Sequence, residues 1–377
     1  MKRLLWLCTH RTQWREELPL LLEAGFEVIP AHFGHRLFPF NVNPEDPYYV
    51  QTWRQQCSLS PEIRDQLHSV DWHQEVSAEL PRLACQVFEG VIIESHLDTV
   101  LRFARWFPKP IFYRVFGRGG DRSYSDYYGA AAIAELTQTP AYRQGLYHWC
   151  PILPTLAHAE IEALVRNEVV LEPFVSSERL AAPWRAESSE PYVAMVLSRI
   201  QQVECYVNKY RQITSRFRQA PPLPLRILGG NEPGSFDDPE IVGALPDRDY
   251  FQIMARGRVF FYQGESQVLL HWSVLEALAM GIPVVMLQSG YLAWALNRVA
   301  GPKARGPEWG VVEGLDEARQ LLARCLLDRS VACEIAHRQQ PLARYVTDRA
   351  LAIRQYRQKL LAILEPGGGQ MHEFRAA

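Results

Sequence analysis

The chain has 377 residues, 47% of them hydrophobic, which is long enough for two ordinary domains with sizeable cores. Its 40 Lys and Arg stand against 42 Asp and Glu, a net charge of −2. That balance excludes a global basic field drawing the chain to nucleic acid, so no nucleic-acid partner is expected, and peripheral membrane contact is left open.

Cys8, Cys57, Cys85, Cys150, Cys205, Cys325 and Cys333 are scattered, odd in number and without a CxxC pair. They do not make a disulfide framework, and a cytoplasmic location follows as the expectation. Met1 to Cys8 begins basic and then apolar, as a secretory leader does, but Thr9-His10-Arg11 cuts the run short. No apolar run approaches the ~20 residues that cross a bilayer.

Leu4 to Cys8 reads as a strand, Thr9 to Gln13 as a polar loop, and the next stretch as a helix carrying Leu18, Leu21 and Leu22 that stops at Gly25. Phe26 to Pro30 is a second strand. Such a βαβ opening implies a parallel sheet with right-handed crossovers. Ligands of these sheets sit at the carboxyl ends of the strands, which puts His10 in a candidate region. A polar surface loop is the other reading. From His32 to Pro61 aromatics, Pro and Asn follow with little periodicity, as in an irregular insertion.

Gln86 to His96 and Pro110 to Gly117 read as further strands, the first ending at Glu94 and His96. Gly117-Arg118-Gly119-Gly120-Asp121-Arg122 then combines close backbone approach with two bidentate donors. Arg118 and Arg122 are therefore candidates for a phosphate or an acidic acceptor, against an ordinary turn with solvated charges. The loop lacks the lysine and hydroxyl of a Walker motif.

Between about Leu171 and Pro191 the composition turns to Pro and Ser, marking a linker. The expected domains are residues 1–182 and 183–345, with 346–377 a final helix, about Leu342 to Ile363 at its core, and a glycine tail. Tyr192 to Leu197 and Leu225 to Asn231 read as strands, the second closing on Gly229-Gly230-Asn231. A helix from Tyr250 to Arg256 leads into Val259 to Gln288: strand, loop, helix from about Val268 to Met280, stop at Gly281, strand. In that helix Trp272, Ser273 and Glu276 share a face, whereas Leu278 lies elsewhere. Spacing alone leaves Glu276 either a solvated glutamate or a carboxylate aimed into a cleft.

Ser273-Val274-Leu275-Glu276-Ala277-Leu278-Ala279-Met280-Gly281-Ile282-Pro283-Val284-Val285 resembles the donor-binding signature of GT-B glycosyltransferases, family 4 above all. The resemblance implies an α/β chain of two Rossmann-like domains facing across a cleft. The first is the acceptor side, the second binds a nucleotide-sugar donor, and the last helix crosses back. It also implies a retaining transfer with no metal and no cofactor beyond the donor substrate, UDP being the first guess for its nucleotide. The acceptor is left open among glycans, lipids, proteins and small molecules.

By the same resemblance Glu276 holds the donor ribose, with Ser273 beside it, and His96 matches a histidine that closes the equivalent strand. Ser198-Arg199-Ile200 is similar to the start of the second domain, where Arg199 would meet the diphosphate near Gly229, Gly230 and Asn231. His96 and Arg199 are the catalytic candidates. The sequence departs from the pattern at Val268, where the family has a second glutamate, at Phe116, where it has a second histidine, and at Glu204, where it has a lysine. Glu265 and Gln267 for the glutamate, and Lys209 for the lysine, are the nearby candidates to compensate. An epimerase of the same fold and a non-catalytic nucleotide-binding protein are the rival readings.

Overall fold

A computed structural model describes residues 1–7, 11–31, 57–68, 70, 72, 79–118, 122–180, 183–198, 200, 203–231 and 235–365. His10, Arg199, most of the 32–61 stretch, the centre of the 117–122 loop and the glycine tail lie outside the described residues.

The chain forms two compact units. One comprises Met1–Phe116, Ser123–Phe174 and Arg349–Ala377, and the other Gly117–Arg122 and Val175–Asp348. The passage between them falls at Phe174–Val175, inside the stretch from about Leu171 to Pro191 that the composition marks as a linker.

In the first unit the strands are β1 (Lys2–Leu7), β2 (Phe26–Ala31), β3 (Gly90–Glu94), β4 (Ile111–Val115) and β5 (Tyr147–Pro151). They make one sheet in the order β2-β1-β3-β4-β5, every pair parallel. Parallel neighbours need crossovers, which α1 (Arg11–Glu23), α2 (Pro61–His68), α3 (Glu79–Val87), α4 (Leu97–Trp106), α5 (Tyr124–Gln138) and α6 (Pro140–Arg143) lie between. Strands β3, β4 and β5 are buried along their whole length, as apolar runs covered on both faces must be. Gln86 and Val87 end helix α3 instead of opening the strand, which starts at Gly90.

Charge holds this unit together as well as apolar packing. Arg114, fully buried on β4, donates to Glu17 of α1 at 2.5 and 3.2 Å and to the carbonyls of Cys150 and Leu171. It also donates to the Tyr356 hydroxyl at 3.3 Å. Burial works against the guanidinium's charge, but Glu17 outweighs it and the pKa of Arg114 is raised. Tyr356 belongs to the last helix, α13 (Arg349–Leu364), which Arg349 also ties to Glu23. The single final helix expected from Leu342 to Ile363 is two helices, because Asp348 leaves helical geometry at φ −73°, ψ 89°.

In the second unit the strands are β6 (Glu190–Val196), β7 (Leu225–Leu228), β8 (Ile241–Gly243), β9 (Gly257–Tyr262), β10 (Val284–Leu287) and β11 (Val311–Val312). Their order, β11-β10-β9-β6-β7-β8, is again wholly parallel. It matches the doubly wound order whose direction reverses beside its first strand, here between β6 and β9. The helices are α7 (Glu204–Phe217), α8 (Asp247–Arg256), α9 (Trp272–Ala279), α10 (Tyr291–Ala300), α11 (Leu315–Leu327) and α12 (Arg329–Thr347). Val193, Met195, Ile213, Phe217, Val259, Phe261, Val285 and Leu321 pack into its core. Each unit is therefore a Rossmann-like α/β layer structure.

Candidate functional site

The carboxyl ends of β6 and β9 flank the reversal point of the second sheet, the place where such sheets hold ligands. Gln263, the first residue past β9, spans the gap by donating from Nε2 to the Val196 carbonyl at 2.9 Å. Lys209, on the inner side of α7, donates to the Gln263 carbonyl at 3.1 Å and pairs with Glu265 at 3.2 Å. Two residues picked from the sequence as candidates, Lys209 and Glu265, are thus partners at one strand end.

Helix α9 starts from the same loop. It begins at Trp272, not Val268, because Gln267 and Val268 lie in a turn and the residues after them are tied to the Tyr262 hydroxyl. That hydroxyl accepts from the His271 backbone N–H and donates to the Leu269 carbonyl, each at 3.4 Å. The helix ends in a Schellman motif, Gly281 N–H to the Leu278 carbonyl at 2.9 Å and Ile282 N–H to Ala277 at 3.0 Å. His271 is its N-cap but makes no side-chain capping bond, and the first turn carries no acidic residue. The Val274 N–H is taken by the His271 carbonyl at 3.3 Å, and the partial positive charge of the helix start has no capping carboxylate against it.

The His271 ring lies with Nδ1 3.4 Å from the Tyr262 hydroxyl. Burial, and then the charge of Lys209, push its pKa down to about 4, so the imidazole is neutral near pH 7. On the next turn Glu276 is 5% exposed and accepts from the Tyr250 hydroxyl at 3.3 Å. Ser273 is buried beside it on the same face, and Leu278 is buried too. Of the two sequence readings of Glu276, the solvated surface residue does not hold.

At the end of β7, Gly229 has φ +129°, and a Cβ there would meet the Leu197 carbonyl oxygen at 2.6 Å. Only glycine lets this turn close onto β6. Gly230 faces open space. Asn231, 3% exposed, accepts from the Ile200 N–H at 3.1 Å and donates to the Leu197 carbonyl. Its side chain thus ties Leu197, past the end of β6, to Ile200.

Gly117 is counted with this second unit, its backbone so close to Val268 that a Cβ would lie 2.3 Å from that carbonyl oxygen. Arg118 follows it, half-buried, and Arg122 is exposed. The helix after Arg122 offers no anion site: Glu160 accepts from the N–H groups of Tyr124 and Ser125 at 2.6 and 2.7 Å, and Ser123 caps Asp126. His96 belongs to the other unit, half-buried at the N-cap of α4 after Ser95, whose φ is +54°.

Sequence reading missed Gln263, His271, Tyr250 and Glu160. His271 stands directly before Trp272-Ser273, where a helix-start search could have found it; the others act across the fold. Among the described residues no three His, Cys, Asp or Glu side chains gather as a metal-ligand set, and no helix is long and apolar enough to cross a membrane.

No protein-family model and no curated protein matches the chain. Solved structures do. HepE of Anabaena in complex with UDP is 14% identical with a TM-score of 0.59, over 96% of this chain and 100% of that one. A glycosyltransferase from Rickettsia africae ESF-5 is 12% identical with a TM-score of 0.52, over 96% and 97%. An alpha-glucosyltransferase in complex with UDP-glucose and DNA containing an abasic site is 8% identical with a TM-score of 0.57, over 97% and 100%. At these identities the likeness establishes the fold.

Proposed function

We propose that this chain is a glycosyltransferase that moves a sugar from a uridine-diphosphate sugar to an acceptor, with retention and without a metal ion. The observation that carries the reading is Glu276: a carboxylate 5% exposed, on the helix that follows the strand at the sheet's reversal point. Its Oε2 accepts from the Tyr250 hydroxyl at 3.3 Å, and a ribose diol offers two more donors to such a carboxylate.

The diphosphate is met by groups of fixed positive character. These are the uncapped N-terminus of α9, the backbone at Gly229 and Gly230, and Lys209 on release from Glu265; Arg199 joins them by its place in the sequence. They stabilise charge that grows on the leaving diphosphate as the glycosyl bond breaks, which is the role a metal ion would otherwise take. His96 is the candidate for the sugar or acceptor. That HepE is named in complex with UDP, and another neighbour with UDP-glucose, supports uridine as the base. The odd count and scattered placing of the cysteines support a cytoplasmic setting.

The test is a thermal-shift and calorimetric titration with UDP, UDP-glucose and the other nucleoside diphosphates, with and without EDTA. UDP at 100 times its Kd should add about 2.7 kcal/mol of stability. Binding that requires a divalent ion rejects the metal-free mechanism, and failure of every nucleotide to bind rejects the donor site. NMR of the product with an accepted sugar reads the anomeric configuration, and an acceptor-free conversion of UDP-sugar would mark an epimerase instead.

A further inference from the structure

The loop after β8 brings a second side chain to Glu276. Past Gly243 the chain runs through Ala244, Leu245 and Pro246 into α8, where Asp247, Arg248 and Asp249 are exposed while Phe251 and Met254 are buried in the core. Tyr250 stands at the boundary of those two faces, half-buried, its ring edge-on to Phe251 with centroids 5.1 Å apart. Its N–H donates to the Pro246 carbonyl at 3.0 Å, so the first turn of the helix anchors the residue.

The Tyr250 hydroxyl lies 3.3 Å from Glu276 Oε2. An ionised carboxylate only accepts, so the phenol donates and the direction of the bond is set. The two residues come from helices with different supports: α8 packs on β6 and β9, and α9 on β9, β10 and α12. On α9, Val274, Leu275, Ala277 and Leu278 are at most 1% exposed and supply the packing around Glu276. Packing does not require the Tyr250 hydroxyl either, since a phenylalanine would fill the same space and keep the contact with Phe251.

We propose that Tyr250 is a positioning residue: it holds the Glu276 carboxylate in the orientation that meets a ribose diol, and so sets how strongly the site prefers a ribonucleotide over one without the diol. That Glu276 takes the ribose is the reading given under Proposed function, on which this rests; the part given to Tyr250 is additional to it. A glutamate has several rotatable bonds, and a carboxylate that must be ordered by its ligand loses rotamer freedom on binding. A donor already on Oε2 removes part of that loss beforehand, which is pre-organisation. A site built to hydrogen-bond a hydroxyl rejects the analogue lacking it, and loosening the acceptor narrows that rejection.

The experiment is calorimetry with UDP and with 2′,3′-dideoxy-UDP, which keeps the base and diphosphate but lacks the diol. The proteins are wild type, Tyr250→Phe, Glu276→Gln and the double variant. Wild type should prefer UDP by about ten-fold or more. Tyr250→Phe should bind UDP about three- to ten-fold more weakly and dideoxy-UDP as wild type does, so the preference narrows. In the Glu276→Gln background the same change should cost nothing further, because its effect passes through the carboxylate. Tyr250→Leu, which removes the ring as well, should narrow the preference alike, so the readout does not depend on one variant folding. A purely structural role would weaken both nucleotides together and add its cost in both backgrounds, and that result overturns the assignment. It is also overturned if Glu276→Gln loses the preference for UDP while Tyr250→Phe keeps it in full, and the ribose reading of Glu276 then stands. Wild type that binds no UDP, or binds both nucleotides equally, removes the ribose reading and this assignment with it.

Discussion

The two sheets are built alike, wholly parallel with crossover helices, yet they treat charge at their strand ends in opposite ways. In the first unit charge is closed in: Arg114 is paired with Glu17 inside the core, and the start of α5 is filled by Glu160. In the second, the start of α9 has neither a capping side chain nor an acidic residue, its histidine is neutral, and a lysine stands beside it. A helix N-terminus satisfied from within stabilises a fold, whereas one left open is available to an anion. The difference sorts the units into one whose helix start is satisfied by a carboxylate of the same unit and one whose helix start has no side-chain cap.

The most forceful way to break that comparison is to open the closed charge. Arg114→Met leaves Glu17 buried without its guanidinium, and removing one partner of a buried pair costs about 3–5 kcal/mol. Urea denaturation should show that loss, and the double change Arg114→Met with Glu17→Leu should recover much of it. UDP affinity of the folded fraction should be unchanged, since the pair lies within the first unit. A single variant as stable as wild type would mean the pair contributes nothing.

Next in size is the open site itself. Glu276→Gln keeps volume and helix propensity but removes the charge that accepts from a ribose, a loss of about 1.5–3 kcal/mol, or roughly ten- to a hundred-fold in UDP affinity by calorimetry. Leu278→Ala, two positions on and 1% exposed, should lower stability by about 2–5 kcal/mol and leave the donor contacts in place. Equal UDP affinity in wild type and Glu276→Gln would return that glutamate to a structural role.

How far the sequence could be read follows from the range of the forces involved. Strand and helix alternation was legible because burial writes a local pattern, and the stop at Gly281 because a Schellman turn needs a left-handed residue. Glu276 was legible through helical spacing and resemblance. The start of α9 was misplaced because Tyr262, nine residues before His271, decides it from outside the helix. Asn231 could be named but not its task, which depends on Leu197 and Ile200 in another strand's loop. Arg114 reaches Glu17 across 97 residues and Tyr356 across 242, and no short window carries that. Glu160, filling a helix start 36 residues earlier, was invisible for the same reason.

Acid sharpens the comparison through His148 of the first unit and His271 of the second. Burial pushes His148 of the first unit and His271 of the second down to about 4, against 6.5 in an unfolded chain. Between those values the unfolded chain binds the proton and the folded one does not, so stability is full above about pH 6.5 and is lost as pH falls toward 4. Thermal melts from pH 7.5 to 4.5 should show a falling Tm. His148→Gln should flatten the first unit's share and His271→Gln the second's. A Tm that holds or rises over this range would mean that neither ring is kept neutral by the fold.

The smallest expected effect comes from making the closed helix start resemble the open one. Glu160→Ala removes the acceptor for the Tyr124 and Ser125 N–H groups and for the Ser125 hydroxyl, leaving Ser123 as the cap. Loss of a capping carboxylate costs about 0.5–2 kcal/mol. Glu160→Gln keeps an acceptor oxygen but not the charge, so it should cost less than Glu160→Ala. If the two units differ for the reason given, the opened helix start beside Arg122 should gain measurable phosphate affinity in Glu160→Ala, seen as an NMR shift of the Tyr124 and Ser125 amides that wild type lacks. UDP binding should not change in either variant. Phosphate shifts equal in wild type and Glu160→Ala would show that Glu160 does not close the site, and the contrast between the two units would then rest on the second alone.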